Sequence, residues 1–157
     1  MNWAIQKATE LGVHTIVPIK AHRCIGRPIA NHAHSYQNRW QRIALEAAQQ
    51  SERWDVPHVD LPRELSKFLE SHEHDPMKFI LMERGESNGT PAFSFGKHPH
   101  GCLTLASGPE GGWTDEERNQ AIRYNFTEVT LGPNIFRAET APLVSLTLIQ
   151  SKLGGLG

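Results

Sequence analysis

Two short loops hold the residues of this chain best suited to chemistry. The first is Ser107-Gly108-Pro109-Glu110-Gly111-Gly112, and the second runs from Gly132 to Glu139. Glycines lack Cβ atoms, so backbone N–H and C=O groups in the first loop can come close to a flat ligand. Pro109 removes one donor and stiffens the turn. That suits a nucleoside-like ligand held largely by main chain. The spacing does not fit G-x-G-x-x-G, and the Lys and Ser/Thr of a Walker A loop are missing, which disfavours dinucleotide and nucleoside-triphosphate sites. Taken alone, a Gly-rich loop of this kind is more often a tight turn into a capped helix.

Two other patterns bear on chemistry. His98-x-His100-x-Cys102 has period two and places three possible ligands on one strand face, with His22 or Cys24 as further donors. Pro99 interrupts that strand, and neither C-x-x-C nor H-E-x-x-H occurs, so scattered histidines are preferred to a metal site. From Lys20 to Arg53 there are six basic residues (Lys20, Arg23, Arg27, Arg39, Arg42, Arg53) against Glu46 and Glu52, a local formal charge of +4. Such a segment can neutralise phosphates, or it can be a solvated helix face and loop.

The elements that must position these residues follow from periodicity and punctuation. Trp3, Ala4, Lys7, Ala8 and Leu11 before Gly12 predict a helix with a glycine end, so the chain opens inside a helix. Val13 to Val17 predicts a strand ending at Pro18, followed by a loop through Ile25 to Pro28. Tyr36, Trp40, Ile43, Ala44, Ala47 and Ala48 predict a helix over Ser35 to Ser51. A short segment from Val56 to Leu61 precedes a small helix around Leu65, Phe68 and Leu69, with Pro62 near its first turn. Strands are expected at Lys78 to Met82 and Cys102 to Ala106, joined by a linker rich in Gly, Pro, Ser and Asn.

Thr114 and Glu117 form a capping box opening a helix to about Tyr124. Thr127 to Leu131 is then a strand, and Thr140 is the expected N-cap of a last helix running to about Leu153, ended by Gly154-Gly155. The alternation predicts an α/β fold, a mostly parallel sheet flanked by helices, with both loops at the carboxyl ends of strands, where such folds bind ligands.

The 157 residues suit one domain, and 38% hydrophobic with 21% charged residues is a globular composition. Lys+Arg number 16 and Asp+Glu 17, a net charge of -1 that excludes a uniformly basic nucleic-acid binder and leaves local patches open. The longest apolar run, Ala141 to Ile149, is too short for a membrane span, and the first residues lack the pattern of a secretory signal. Two cysteines without paired spacing fit a reducing, cytoplasmic setting.

The segments LASGPEGGWTDEE (Leu105 to Glu117) and LGPNIFRAETAPL (Leu131 to Leu143) closely resemble two signature segments of the RsmE family of SPOUT-class methyltransferases, which act on uridine N3 in small-subunit (16S) ribosomal RNA. The resemblance extends through WAIQKATELGV (Trp3 to Val13), HRC (His22 to Cys24) and RWQRIALEAAQQS (Arg39 to Ser51). It implies a C-terminal trefoil knot, S-adenosylmethionine as cofactor, a homodimer, and ribosomal RNA or the small subunit as partner, with no metal. Carried over by motif, the cofactor site takes Leu81 and Met82, Ser107, Gly108, Pro109, Glu110 and Gly111, and Leu131, Gly132, Ile135, Phe136, Arg137 and Thr140.

Arg137 is the preferred catalytic candidate, since a permanently charged fork near the uracil carbonyls stabilises a developing imide anion. Its alternative is an anchor at the start of the last helix, paired with Glu139. Glu110 either assists proton removal and orients a ribose, or fixes the loop by accepting backbone N–H groups. Arg23, Arg27, Arg39 and Arg42 are the RNA-binding candidates. Compared with the family, residues 1–157 form the methyltransferase domain without its first strand or the N-terminal β-barrel that is thought to hold RNA, and His22 stands where an acidic residue is more usual. Weak methylation of naked RNA is therefore expected. A non-catalytic adenosyl-ligand or RNA-binding domain of the same fold is the alternative.

Overall fold

The computed structural model describes residues 1–24, 32–83, 93 and 101–155. Helix α1 (Asn2–Glu10) ends as the glycine predicts. Gly12 takes φ +85°, its N–H donates to Thr9, and the Val13 N–H reaches back to Ala8, the paired bonds of a Schellman motif.

The expected strand at 13–17 is shorter and continues beyond its proline. Strand β1 (Thr15–Ile16) pairs in parallel with β3 (His58–Val59), and β2 (Ile19–Lys20) pairs in parallel with β4 (Arg63–Glu64). Pro18 and Pro62 split what is otherwise one long pairing, because neither can donate to the ladder. The Pro18 carbonyl still accepts from the Arg63 N–H at 2.9 Å, so the two short ladders run on from each other. Pro62 therefore lies ahead of β4, and not in the first turn of α3 (Leu65–Ser71).

Helix α2 (Ala33–Gln50) buries Trp40, Ala44, Ala47 and Ala48. Trp40 and Ala44 pack with Ile5 and Val59 in one cluster. The main sheet has the order β6-β5-β7, all parallel, with β5 (Met77–Leu81) between β6 (Leu103–Ala106) and β7 (Thr127–Val129). A central strand is buried on both faces, and β5 is; its one charged residue, Lys78, is buried with its ammonium on the Glu73 carbonyl. Ile80 packs with Leu65, Phe68 and Leu69 of α3 and with Ala121 of α4 (Asp115–Arg123), whereas Phe79 and Leu81 pack with Val129 and with Ile149 of α5 (Thr140–Leu153). Each fully buried side chain of this size contributes about 1.5–3 kcal/mol. The sheet thus has helices on both faces.

Helix α4 opens on the predicted capping box, with both reciprocal bonds present. Helix α5 differs by one position at its start. Glu139 stands at the N-cap without a side-chain cap bond, and Thr140 is the first helical residue. The Arg137 carbonyl accepts from the N–H groups of Thr140 and Ala141, so a backbone turn opens this helix in place of a hydroxyl cap. At the other end, Gly154 at φ +78° terminates it, and Gln150 donates to the Leu11 carbonyl at 2.8 Å, tying α5 to the end of α1.

Candidate cofactor and active site

The chain leaves β5, β6 and β7 at the same edge of the sheet, and the three exits surround a cavity of about 540 Å³. Leu81, Met82 and Glu83 line it after β5. Ser107, Gly108, Pro109, Glu110, Gly112 and Trp113 line it after β6. Leu131, Asn134, Ile135, Phe136, Arg137, Ala138, Glu139 and Ala141 line it after β7. A volume of this size holds a nucleoside-sized ligand.

Trp113 is the keystone of the first loop. Its indole is almost fully buried and donates from Nε1 to the Leu81 carbonyl at 3.0 Å, one residue past the end of the β5–β6 ladder. A Cβ on Gly108 would stand 3.1 Å from the same Nε1, so glycine permits the loop to lie against the ring. Gly112 takes φ +67° and donates to the Pro109 carbonyl at 2.9 Å, closing the turn. Its α-carbon faces Glu83, whose carboxylate oxygen would be 2.8 Å from any added Cβ.

The loop is also held from outside. Arg23 donates from Nη1 to the carbonyls of Gly111 (3.0 Å) and Trp113 (3.4 Å). Glu117 accepts the His22 N–H at 2.8 Å on one oxygen and the Thr114 N–H at 2.9 Å on the other. Glu116 beside it is held below the ordinary carboxylate value, first by a backbone hydrogen bond and then by the Thr114 hydroxyl, with smaller contributions from the charges of His22 and Arg23.

Glu83, Glu110 and Glu139 face the cavity with Arg137 as the cation among its lining residues. An excess of carboxylates favours a ligand that carries positive charge. Leu81, Met82, Trp113, Leu131, Ile135 and Phe136 supply apolar wall. Arg137 is exposed, and its guanidinium makes no hydrogen bond or ion pair with another described residue, Glu139 included. It is available to a ligand.

Of the residues expected at the cofactor site, Gly111, Gly132 and Thr140 are outside the cavity lining. Gly111 turns toward Arg23, and Gly132 at φ +104° supplies the bend that brings the second loop over the cavity. Glu83, Trp113, Asn134, Ala138 and Ala141 line it without having been singled out, and Glu139, expected only as a partner of Arg137, lines it too. Glu83 was findable as the next polar residue after the β5 exit, and Trp113 as the aromatic that ends the glycine loop.

Among the RNA candidates, Arg39 and Arg42 lie on exposed positions of α2 and share a shallow groove with Asn38, Ile43 and Glu46. Arg23 does not line that groove, and Arg27 lies outside the described residues. Two further charges of the basic segment are, like Arg23, committed elsewhere. Arg53 donates to the Thr9 and Val13 carbonyls at 2.5 and 3.0 Å and pairs with Asp55, while Lys20 pairs with Glu64 at 3.2 Å. His98 and His100 lie outside the described residues, and among those described no group of three His, Cys, Asp or Glu is placed to hold a metal ion. No described helix is long and apolar enough to cross a membrane.

The model of a family described as an RNA methyltransferase domain matches residues 1–150. The chain is 37% identical over 150 residues to Ribosomal RNA small subunit methyltransferase E of Synechocystis sp., covering 95% of this chain and 48% of that protein. It is 35% identical over 154 residues to the protein of the same name from Bacillus subtilis, covering 96% and 60%. The crystal structure of a Ribosomal RNA small subunit methyltransferase E from Neisseria gonorrhoeae, bound to S-adenosyl methionine, superposes with a TM-score of 0.81 at 36% identity. That match covers 96% of this chain and 60% of that one. The chain thus spans about half to three fifths of the length of these relatives.

Proposed function

The chain belongs to the RNA methyltransferase domain family, and on that premise we propose that it methylates uridine N3 in small-subunit (16S) ribosomal RNA with S-adenosylmethionine held in the three-loop cavity. The observation that carries this reading is the convergence of the β5, β6 and β7 exits on one cavity whose lining joins apolar wall, close backbone and several carboxylates. These features fit the cofactor's parts. Leu81, Met82, Leu131 and Ile135 would flank its base. The backbone around Ser107 to Gly112 would approach its sugar. Glu83, Glu110 and Glu139 would face its positive charges. Bound there, the cofactor supplies an activated methyl group on a sulfonium.

What remains for the chain's own residues is orientation and charge. Methyl transfer to N3 needs the imide nitrogen in line and without its proton, so stabilising the imide anion is the main electrostatic task. Arg137, which lines the cavity and has no other described partner, would hold the uracil carbonyl oxygens that share that negative charge. Arg39 and Arg42 would bind phosphate.

A homodimer belongs to the same proposal. Helix α5 buries Ser145 and Ile149 on one side, yet keeps Leu148 exposed and Leu143, Val144 and Leu146 only half-buried, a face suited to a second copy. The reading is tested with small-subunit particles lacking the modification and a labelled methyl donor. The wild-type chain transfers label to uridine, and Arg137→Ala binds the cofactor within about twofold while losing about 100-fold or more in transfer rate, the scale of one lost anion-stabilising donor. Normal transfer by Arg137→Ala contradicts the assigned role.

A further inference from the structure

Resting on the cavity as the S-adenosylmethionine site, we propose that Arg23 is a positioning residue that sets the shape of the cofactor loop from outside, and not simply one more cation of an RNA-binding segment. One guanidinium nitrogen spans the carbonyls of Gly111 and Trp113, on either side of Gly112 with its left-handed φ of +67°. Glycine takes this φ without strain but is free to take many others, and two carbonyls gathered on one charged donor select the one turn.

The approach is close along the whole side chain, since a Cβ on Gly111 would stand 2.9 Å from the Arg23 Cβ and 3.4 Å from its Cδ. The segment that presents Arg23 is itself fixed. The Cys24 N–H donates to the Ala21 carbonyl at 3.2 Å, the Ala21 N–H points at the Cys24 sulfur at 3.4 Å, and the His22 N–H is held by Glu117 at 2.8 Å.

The brace reaches the cavity through Trp113. Its carbonyl is bound by Arg23, while its indole bonds the Leu81 carbonyl and lies against Gly108, and all three residues line the cavity. Arg23 itself does not line it, so an influence on cofactor affinity must pass through the loop.

The test compares wild type, Arg23→Ala and Arg23→Lys as full chains, in the absence of RNA. Calorimetry with S-adenosylmethionine is expected to give about tenfold weaker binding for Arg23→Ala, the lower end for a hydrogen bond to a charged group, and an intermediate loss for Arg23→Lys, which keeps the charge without the planar fork. Hydrogen exchange of the Gly111 to Trp113 amides, measured without cofactor, is expected to be faster in Arg23→Ala. Unchanged exchange in this segment overturns the brace. Unchanged cofactor affinity also overturns it, and a separate RNA titration that then shows weaker, less salt-dependent binding by Arg23→Ala makes Arg23 a phosphate ligand. Should wild type bind no S-adenosylmethionine, the reading of the cavity fails separately. Faster exchange in Arg23→Ala then still supports the brace, and unchanged exchange still refutes it.

Discussion

Replacing Trp113 by Phe removes one hydrogen-bond donor and keeps an aromatic ring, so it isolates what the indole N–H does. Trp113 and Leu81 are both buried, with 8% and 6% of their surface exposed, and the Nε1 to carbonyl distance is 3.0 Å. The substitution leaves a buried carbonyl without this donor and a gap where the outer, six-membered ring of the indole lay. An unsatisfied buried acceptor costs about 1–3 kcal/mol, and the lost packing adds to it. For a chain of this size each kcal/mol lowers the thermal midpoint by about 2–4 °C, so a drop of several degrees is expected.

The control is Trp54→Phe, because Trp54 is fully exposed, and a change there should stay within about 0.5 kcal/mol. Urea unfolding followed by far-ultraviolet circular dichroism reads both variants against wild type without relying on indole fluorescence. Because the bond joins the β5 exit to the glycine loop, Trp113→Phe should also weaken binding of S-adenosylmethionine. A Trp113→Phe chain as stable as Trp54→Phe, with wild-type cofactor affinity, would refute the keystone role of the indole.

The start of α4 yields two further expectations. Thr114→Ala removes the hydroxyl that accepts the Glu117 N–H and should cost about 0.5–2 kcal/mol in urea unfolding, whereas Thr114→Ser should restore most of it. Glu116 has a folded-state pKa below its ordinary 4.5, so its contribution to stability is complete above about that pH and is lost as pH falls through the lowered folded value. Thermal midpoints on acidification should therefore fall less steeply for Glu116→Gln than for wild type, and identical acid limbs would contradict this.

The elements with strong local signals were legible in the sequence. Gly12 ended α1, Thr114 and Glu117 opened α4, the helical spacing from Tyr36 to Ala48 marked α2, and the mostly apolar run from Lys78 to Met82 marked the central strand. One misreading falls where the decisive partner is distant in sequence, and another where backbone takes the place of a side chain. Strand β2 follows a proline and exists because it pairs with β4, more than forty residues on. Thr140 has the chemistry of a cap, yet the Arg137 carbonyl takes that place through the backbone.

The same holds at the site. That the two loops border one cavity was legible from their residues and from the family resemblance, and most of the residues so named line it, but the direction of individual glycines was not legible. Gly111 is directed to Arg23 and Gly112 to Glu83, a choice set by the left-handed turn and by contacts from residues 88 and 29 positions away. Arg23 and Arg53 read as members of one basic segment. The fold assigns Arg53 to the end of α1 and Arg23 to the glycine loop, since each meets carbonyls that no window of sequence places beside it.

The central claim is that the three exits from β5, β6 and β7 form one S-adenosylmethionine site. Calorimetric titration of the full chain with S-adenosylmethionine, coupled to hydrogen exchange with and without it, tests this most directly. Saturable binding at one site per chain, with new protection at residues 81–83, 107–113 and 131–141 together, is the predicted result. Absence of binding, or protection confined to the α2 groove around Arg39 and Arg42, would contradict it.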